Sequence, residues 1–173
     1  MNHHTHMAAG ALAGMTFCLA THTEGVRGVV VIAGSVIGSL LPDLDCKSSF
    51  IANRAKITRS VSIITEKILG HRGVLHTPFF ASCLPIMYMG ILHTCFTAGN
   101  LGTLVGLICF GAGLMIGYFV HLGLDLITPR GIMLFYPFSK KYYRLPCRIL
   151  DSKGEDFIWA VLYLCDFVIF VTH

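Results

Sequence analysis

His121 and Asp125 stand four residues apart near the end of a long apolar run, Gly113-Leu-Met-Ile-Gly117-Tyr-Phe-Val-His121-Leu-Gly-Leu-Asp125. Residues four apart share a helix face, so Gly113, Gly117, His121 and Asp125 form one stripe, bare at one end and polar at the other. An imidazole and a carboxylate one turn apart can hold the same divalent cation, and glycines above them let a neighbouring helix come close enough to add ligands. A buried hydrogen bond between the two side chains fits the same pattern equally well. What decides between these readings is which other residues reach the same place.

Three further stretches offer ligand-type side chains. His6 is in register with Gly10 and Gly14, the same ligand-then-glycine stripe, although a cloning tag would also explain the cluster His3, His4, His6. Gly34 and Gly38 form another small-residue face, and the run they belong to ends at Leu41-Pro42-Asp43-Leu44-Asp45. Proline disfavours helix in the residue before it, so that helix is expected to stop near Leu41 and to carry two acids at its end. A helix C-terminus is negative ground for carboxylates, a conflict that a bound cation relieves and that full solvation also relieves. The third stretch, His71-Arg72-Gly73-Val74-Leu75-His76-Thr77-Pro78, sets two histidines and an arginine directly before an apolar span.

The elements that must position these residues are helical and membrane-like. In 173 residues, 54% are hydrophobic and 13% charged, and the mean hydropathy is +0.70, a composition foreign to a soluble domain. We expect one all-α domain over residues 1–173, a polytopic membrane bundle with about four to five hydrophobic helices, near 7–20, 29–41, 78–99, 101–128 and 157–172. The first of these is short for a full span. Pro85 is expected to kink the third. Between 46 and 70, Ile57, Val61, Ile64 and Ile68 recur at helical spacing among Arg54, Lys56, Arg59 and Lys67, the pattern of an amphipathic interfacial helix. Residues 132–150 mix aromatic and basic side chains as headgroup anchors do, and Ser152-Lys-Gly-Glu155 reads as a capping box before the last segment. His93 and Asp166 lie within apolar segments; the first reads as a buried or interfacial histidine, the second as a carboxyl hydrogen-bonded inside the bundle, for instance to Tyr88 or His93. The seven cysteines cannot all pair, and five of them, Cys18, Cys83, Cys95, Cys109 and Cys165, sit in apolar runs without C-x-x-C spacing and read as small apolar fillers. No Lys or Arg precedes Arg27, so the N-terminus lacks the basic region of a cleavable signal and is expected to stay attached.

Twelve of the thirteen Lys and Arg residues fall in two loops, 44–77 and 129–156. A hairpin of two spans separates these loops, so both lie on one side, which the positive-inside rule makes cytoplasmic. His121 and Asp125 end the fourth segment, His71 and His76 precede the third, and Asp43 and Asp45 end the second. His6 begins the first, and joins them if the first two segments form a hairpin. Seven ligand-type side chains at one depth fit a metal centre between helices better than unrelated solvated residues. Nitrogen and oxygen donors together suit zinc, with manganese or iron as alternatives and room for two ions.

The order His6, Leu41-Pro42-Asp43-Leu44-Asp45, His71-Arg72-Gly73 with His76, then His121-x-x-x-Asp125 with Thr128 and Gly131, resembles the YdjM-type family of membrane-bound metal-dependent hydrolases, also described as LexA-binding inner-membrane-associated hydrolases. More distantly it is similar to the zinc-dependent phospholipase C and P1 nuclease group. The resemblance implies hydrolysis of a phosphoester or a related bond and supplies no substrate; joined to the charge count, it gives the expectation of a lipid or amphipathic phosphoester cleaved at the cytoplasmic face of the inner membrane. It implies metal ligation by His6, Asp43, Asp45, His71, His76, His121 and Asp125, proton acceptance from a metal-activated water by Asp43 or Asp45, and neutralisation of a phosphoryl group by Arg72 and Arg130. Membrane lipids and a protein partner are the expected company, and direct nucleic-acid binding is not expected, because the positive charge flanks membrane segments. The competing reading is a non-catalytic membrane protein whose His/Asp cluster holds helices together while its basic loops bind anionic lipid or a protein. A metal transporter or sensor is least favoured, since no chain of ionisable groups crosses the apolar segments.

Overall fold

The computed structural model describes residues 2–45, 59–60, 63, 73–145 and 152–172. The described residues form five α-helices and no β-strand: α1 His3–Thr21, α2 Gly25–Gly38, α3 Pro78–Thr97, α4 Leu101–Ile127 and α5 Ser152–Thr172. A 3-10 turn, Pro42–Asp45, follows α2, and another, Val74–His76, leads into α3. The all-helical expectation holds. Two helices, α3 of 20 residues and α4 of 27, are long and apolar enough to cross a membrane, whereas Gly25–Gly38 and Ala160–Thr172 are shorter apolar pieces. An expected count of four to five hydrophobic helices is thus somewhat high. The expected amphipathic helix near 46–70 lies, but for three residues, outside the described ones.

Local chemistry sets the helix starts. The Asn2 side chain accepts from the backbone N–H of His4 at 3.4 Å, so the histidine cluster opens α1 rather than trailing as a tag. Thr77 accepts from the Phe80 N–H at 3.2 Å and Pro78 occupies the first turn of α3, a pairing of cap and proline that pre-sets the helix. Asn100 accepts from Thr103 N–H at 3.1 Å to start α4. The turn between these two helices contains Gly99 at φ 69°, a conformation other residues rarely adopt.

Packing divides the bundle. α2 crosses α4 with almost no side chain between them, since a Cβ at Gly113 would overlap the Val31 carbonyl and one at Gly117 the Ser35 carbonyl. Gly34 and Gly38 stand in the same relation to the backbone of Phe110 and Leu114. α1 lies against α2 and α4, and the Ser35 hydroxyl donates to the Gly10 carbonyl at 2.7 Å, an interhelical bond of about 1 kcal/mol. α3 packs on α4, and α5 lies along α1. α3 buries only Ala81 fully, leaving Ile86, Met87, Met89 and Phe96 more than half exposed. Such a surface calls for lipid rather than water around it.

Three expectations need correction. α2 runs from Gly25 to Gly38 rather than 29–41, because the chain tightens into turns at Ser39–Leu41 before Pro42. His93 is exposed on α3, which removes the buried alternative for it and leaves the interfacial one. Asp166 is buried, but Tyr88 cannot serve it: α5 packs on α1, and the Tyr88 hydroxyl instead donates to the Leu107 carbonyl at 2.8 Å.

Candidate metal centre

Four segments bring five ligand-type side chains to one end of the bundle. His6 comes from the first turns of α1, Asp43 from the turn after α2, His76 from the turn before α3, and His121 and Asp125 from the last turns of α4. The small-residue stripes explain the meeting. Gly10 and Gly14 seat α1 on Ser35, Ser39 and Ile32 of α2 and its exit, while Gly113 and Gly117 seat α4 on the same stretch. His6 and His121 each lie one turn from the nearest glycine of their stripe, and Asp125 lies one turn further along α4. Beneath the cluster, Ala81, Tyr118, Leu122 and Ile132 form the apolar core, with Leu41 and Leu84 packed against it. The Tyr118 hydroxyl donates to the Leu75 carbonyl, which anchors the turn carrying His76.

The Nε2 atoms of His121 and His76 are 3.3 Å apart. Asp125 presents Oδ2 to His76 Nε2 at 3.5 Å and to His121 Nε2 at 3.7 Å, and Oδ1 to His6 Nε2 at 3.7 Å. Asp43 Oδ1 lies 3.7 Å from His76 Nε2. Ligands held about 2.0–2.2 Å from a tetrahedral ion stand about 3.3–3.6 Å from one another. The observed separations match that spacing, and most exceed the distance of a direct hydrogen bond. Two overlapping groups have mutually close donor atoms, one of His6, Asp43 and His121, the other of His76, His121 and Asp125.

The donor atoms are also in the right state. His121 Nδ1 lies 2.6 Å from the Ser39 carbonyl, which can only accept, so Nδ1 carries the proton and Nε2 points its lone pair at the cluster. The His6 and His121 rings stack at 3.9 Å and 16°. Burial, then the neighbouring His121, keeps His6 protonation well below its ordinary range despite the Asp125 and Asp43 carboxylates, the neutral state that metal ligation needs. The Nδ1 of His6 is buried without a hydrogen-bond partner. Burial opposes charge on Asp43, but His76, His121 and His6 outweigh it and hold the carboxyl at about 2. Two carboxylates among three imidazoles form a donor set whose charge a divalent cation balances, and the residues present therefore fit a metal. His6, His76, His121 and Asp125 are buried, whereas the Asp43 side chain is 18% exposed, making it the ligand through which the cluster meets the outside.

The remaining sequence candidates are placed differently. Asp45 closes the turn that carries Asp43, with only its backbone described. His71 and Arg72 lie outside the described residues. Arg130 is exposed in the turn after α4, where Thr128 buries its hydroxyl on the Asp125 carbonyl at 2.7 Å. Ser39 was not visible as a site residue, because it acts through its backbone. Tyr118 was hidden among apolar neighbours, and its only signal was a hydroxyl within a run otherwise free of polar groups.

The family model for the YdjM inner membrane protein matches residues 1–172. Inner membrane protein YdjM of Escherichia coli (strain K12) is 25% identical over 142 residues, 76% of this chain and 65% of that protein, so the chain spans about two thirds of its length. YvsG of Bacillus subtilis (strain 168) is 32% identical over 155 residues, 88% of this chain and 86% of its own. No solved structure matches. The likeness to zinc-dependent phospholipase C and P1 nuclease is not shown by these comparisons. With two helices able to cross a bilayer and a match along nearly its whole length, this chain belongs to the YdjM inner membrane protein family.

Proposed function

We propose that the protein is a metal-dependent hydrolase of the inner membrane, acting on a phosphoester of a lipid or amphipathic substrate, with its centre toward the cytoplasm. The observation that carries this reading is the convergence of His6, Asp43, His76, His121 and Asp125 at donor separations of 3.3–3.7 Å, most of them longer than a direct hydrogen bond and suited to a shared ion. Zinc fits the mixed nitrogen and oxygen donors best, with manganese or iron as alternatives and two ions accommodated by the two overlapping groups. A bound dication supplies Lewis acidity, lowering the pKa of a water and polarising a phosphoryl oxygen.

The chain's own residues do the rest. His121, fixed by the Ser39 carbonyl, and His6, kept neutral by burial, hold their Nε2 atoms in place without rotamer search. Asp43, ionised and partly open to the outside, is positioned to take a proton from an entering water, and Asp45 on the same turn is the second candidate for that step. Arg72 and Arg130 are assigned to neutralise the phosphoryl charge. Metal analysis of detergent-purified protein is the test: the wild type is expected to bind Zn, Mn or Fe and to turn over a generic phosphodiester, and His121→Ala and Asp125→Ala to lose both. A wild type that takes up none of these metals on reconstitution sinks the proposal.

A second reading is a structural clamp in a non-catalytic protein that binds anionic lipid or a protein partner. The 3.3 Å approach of His76 and His121 favours it, since one imidazole can donate to the other. It predicts a folded protein whose stability is unaffected by chelator.

A further inference from the structure

Between α3 and α4 lies a slot of about 350 Å³, within the size range of small-molecule sites. Its lining includes Leu41, Leu84, Tyr88, Ala112 and Met115, and the only side-chain nitrogen or oxygen in it belongs to Tyr88. That hydroxyl donates to the Leu107 carbonyl, so among the described residues the lining of the slot is overwhelmingly apolar. Gly111 and Ala112 form part of one wall and make a narrow trough, where a packed helix would need a broad face. The rim is open: Met87 and Met89 are 68% and 60% exposed. The two helices that border it are the two able to cross a bilayer, so the medium outside the rim is hydrocarbon.

The slot also has a direction. Leu41 lines it and is two residues from Asp43, while Met115 lies about 9 Å of helix rise from His121. Leu41 and Leu84 close the slot by packing on the core that underlies the metal centre. The loop that follows α4 at this same end carries Lys140, Lys141 and Arg144, all three exposed. A molecule that is a flexible apolar chain at one end and a phosphate at the other meets all three features at once.

We infer that the slot holds an acyl chain of a bilayer glycerophospholipid whose phosphate is thereby delivered to the Asp43 side of the metal centre. The assignment of the headgroup rests on the hydrolase reading; that of the chain rests on the slot alone. Binding and turnover are therefore measured separately on the full chain in detergent. Bound dioleoylphosphatidylglycerol per chain is read by native mass spectrometry after delipidation and re-addition. Turnover is read on the metal-loaded protein with water-soluble bis(p-nitrophenyl) phosphate.

The wild type is expected to retain a lipid, and Ala112→Trp, which fills the trough, to weaken retention at least about tenfold. Met89→Trp at the exposed rim is expected to weaken it as well, without adding bulk to the interior. Ile86→Trp, on the 74% exposed face outside the slot, is expected to leave retention unchanged. Both slot variants are expected to elute from a detergent size-exclusion column where the wild type does and to keep its helical circular dichroism, which shows them folded. Retention equal in all three variants overturns the acyl-chain assignment, as does an unlipidated wild type whose slot is covered by a second copy of the chain. A wild type that retains lipid and binds metal but never cleaves the soluble diester counts against the hydrolase reading and leaves the slot assignment standing.

Discussion

α4 has two neighbours that treat it in opposite ways. Against α2 it meets backbone with backbone, at Gly34 and Gly38 on one side and Gly113 and Gly117 on the other. Against α3 it meets side chains, held by the Tyr88–Leu107 hydrogen bond and the Tyr88 ring over Gly111, and an open slot is left between them. The first contact fixes positions to a few tenths of an ångström because peptide groups cannot rotate away. The second leaves room because flexible side chains share the space with whatever fills it. One helix thus has a face that builds a centre and a face that can admit a ligand.

The contrast is broken most severely at the crossing. Gly117→Leu places a side chain where the Ser35 carbonyl stands, and with no flexible neighbour to yield we expect a loss of ~3 kcal/mol or more, read as failure to recover folded protein in a detergent melt. His121→Ala should keep the fold but lose bound metal, lowering activity by more than the ~10–100-fold typical of losing a residue that only orients a ligand; metal analysis beside a kinetic assay checks it. Ser35→Ala removes the bond to Gly10 and should cost ~1 kcal/mol, and Tyr88→Phe no more than that on the looser side, both read as shifts in thermal midpoint. At Gly106, where an added Cβ meets nothing within 4 Å, alanine should be neutral or stabilising by up to ~1 kcal/mol. A melt clearly lowered by Gly106→Ala would mean that α4 is closely packed at Gly106 as well.

Much of this arrangement was legible in the residues. The His-x-x-x-Asp pair, the glycines at four-residue spacing and the proline after α2 each have a local cause, so the helix ends and the ligand-bearing stripe of α4 could be read from spacing. Which stripe meets which could not: Gly10, Gly34 and Gly113 look alike in sequence, and only the fold sets the first against Ser39 and the second and third beside one another. The Ser39 carbonyl that sets the His121 tautomer is invisible for a different reason, since every residue has a carbonyl. Asp166 shows the opposite error. A carboxyl in an apolar helix invites a search for a partner, and Tyr88 and His93 were natural choices, yet α5 lies along α1 and its carboxylate oxygens are buried without a hydrogen bond.

Ser39 caps α2 through its N–H and accepts the hydrogen bond of His121 Nδ1 through its carbonyl. A main-chain oxygen at a helix exit has no torsion of its own, so the imidazole it grips is referenced to the axis of α2 while its Cα is referenced to the axis of α4. Any sliding of one helix along the other must lengthen that 2.6 Å contact before it alters anything else in the cluster. The ring of His121 is in this sense a gauge of helix register, and its ring-nitrogen chemical shifts would report a sub-ångström shear between α2 and α4 that no change in secondary structure would reveal.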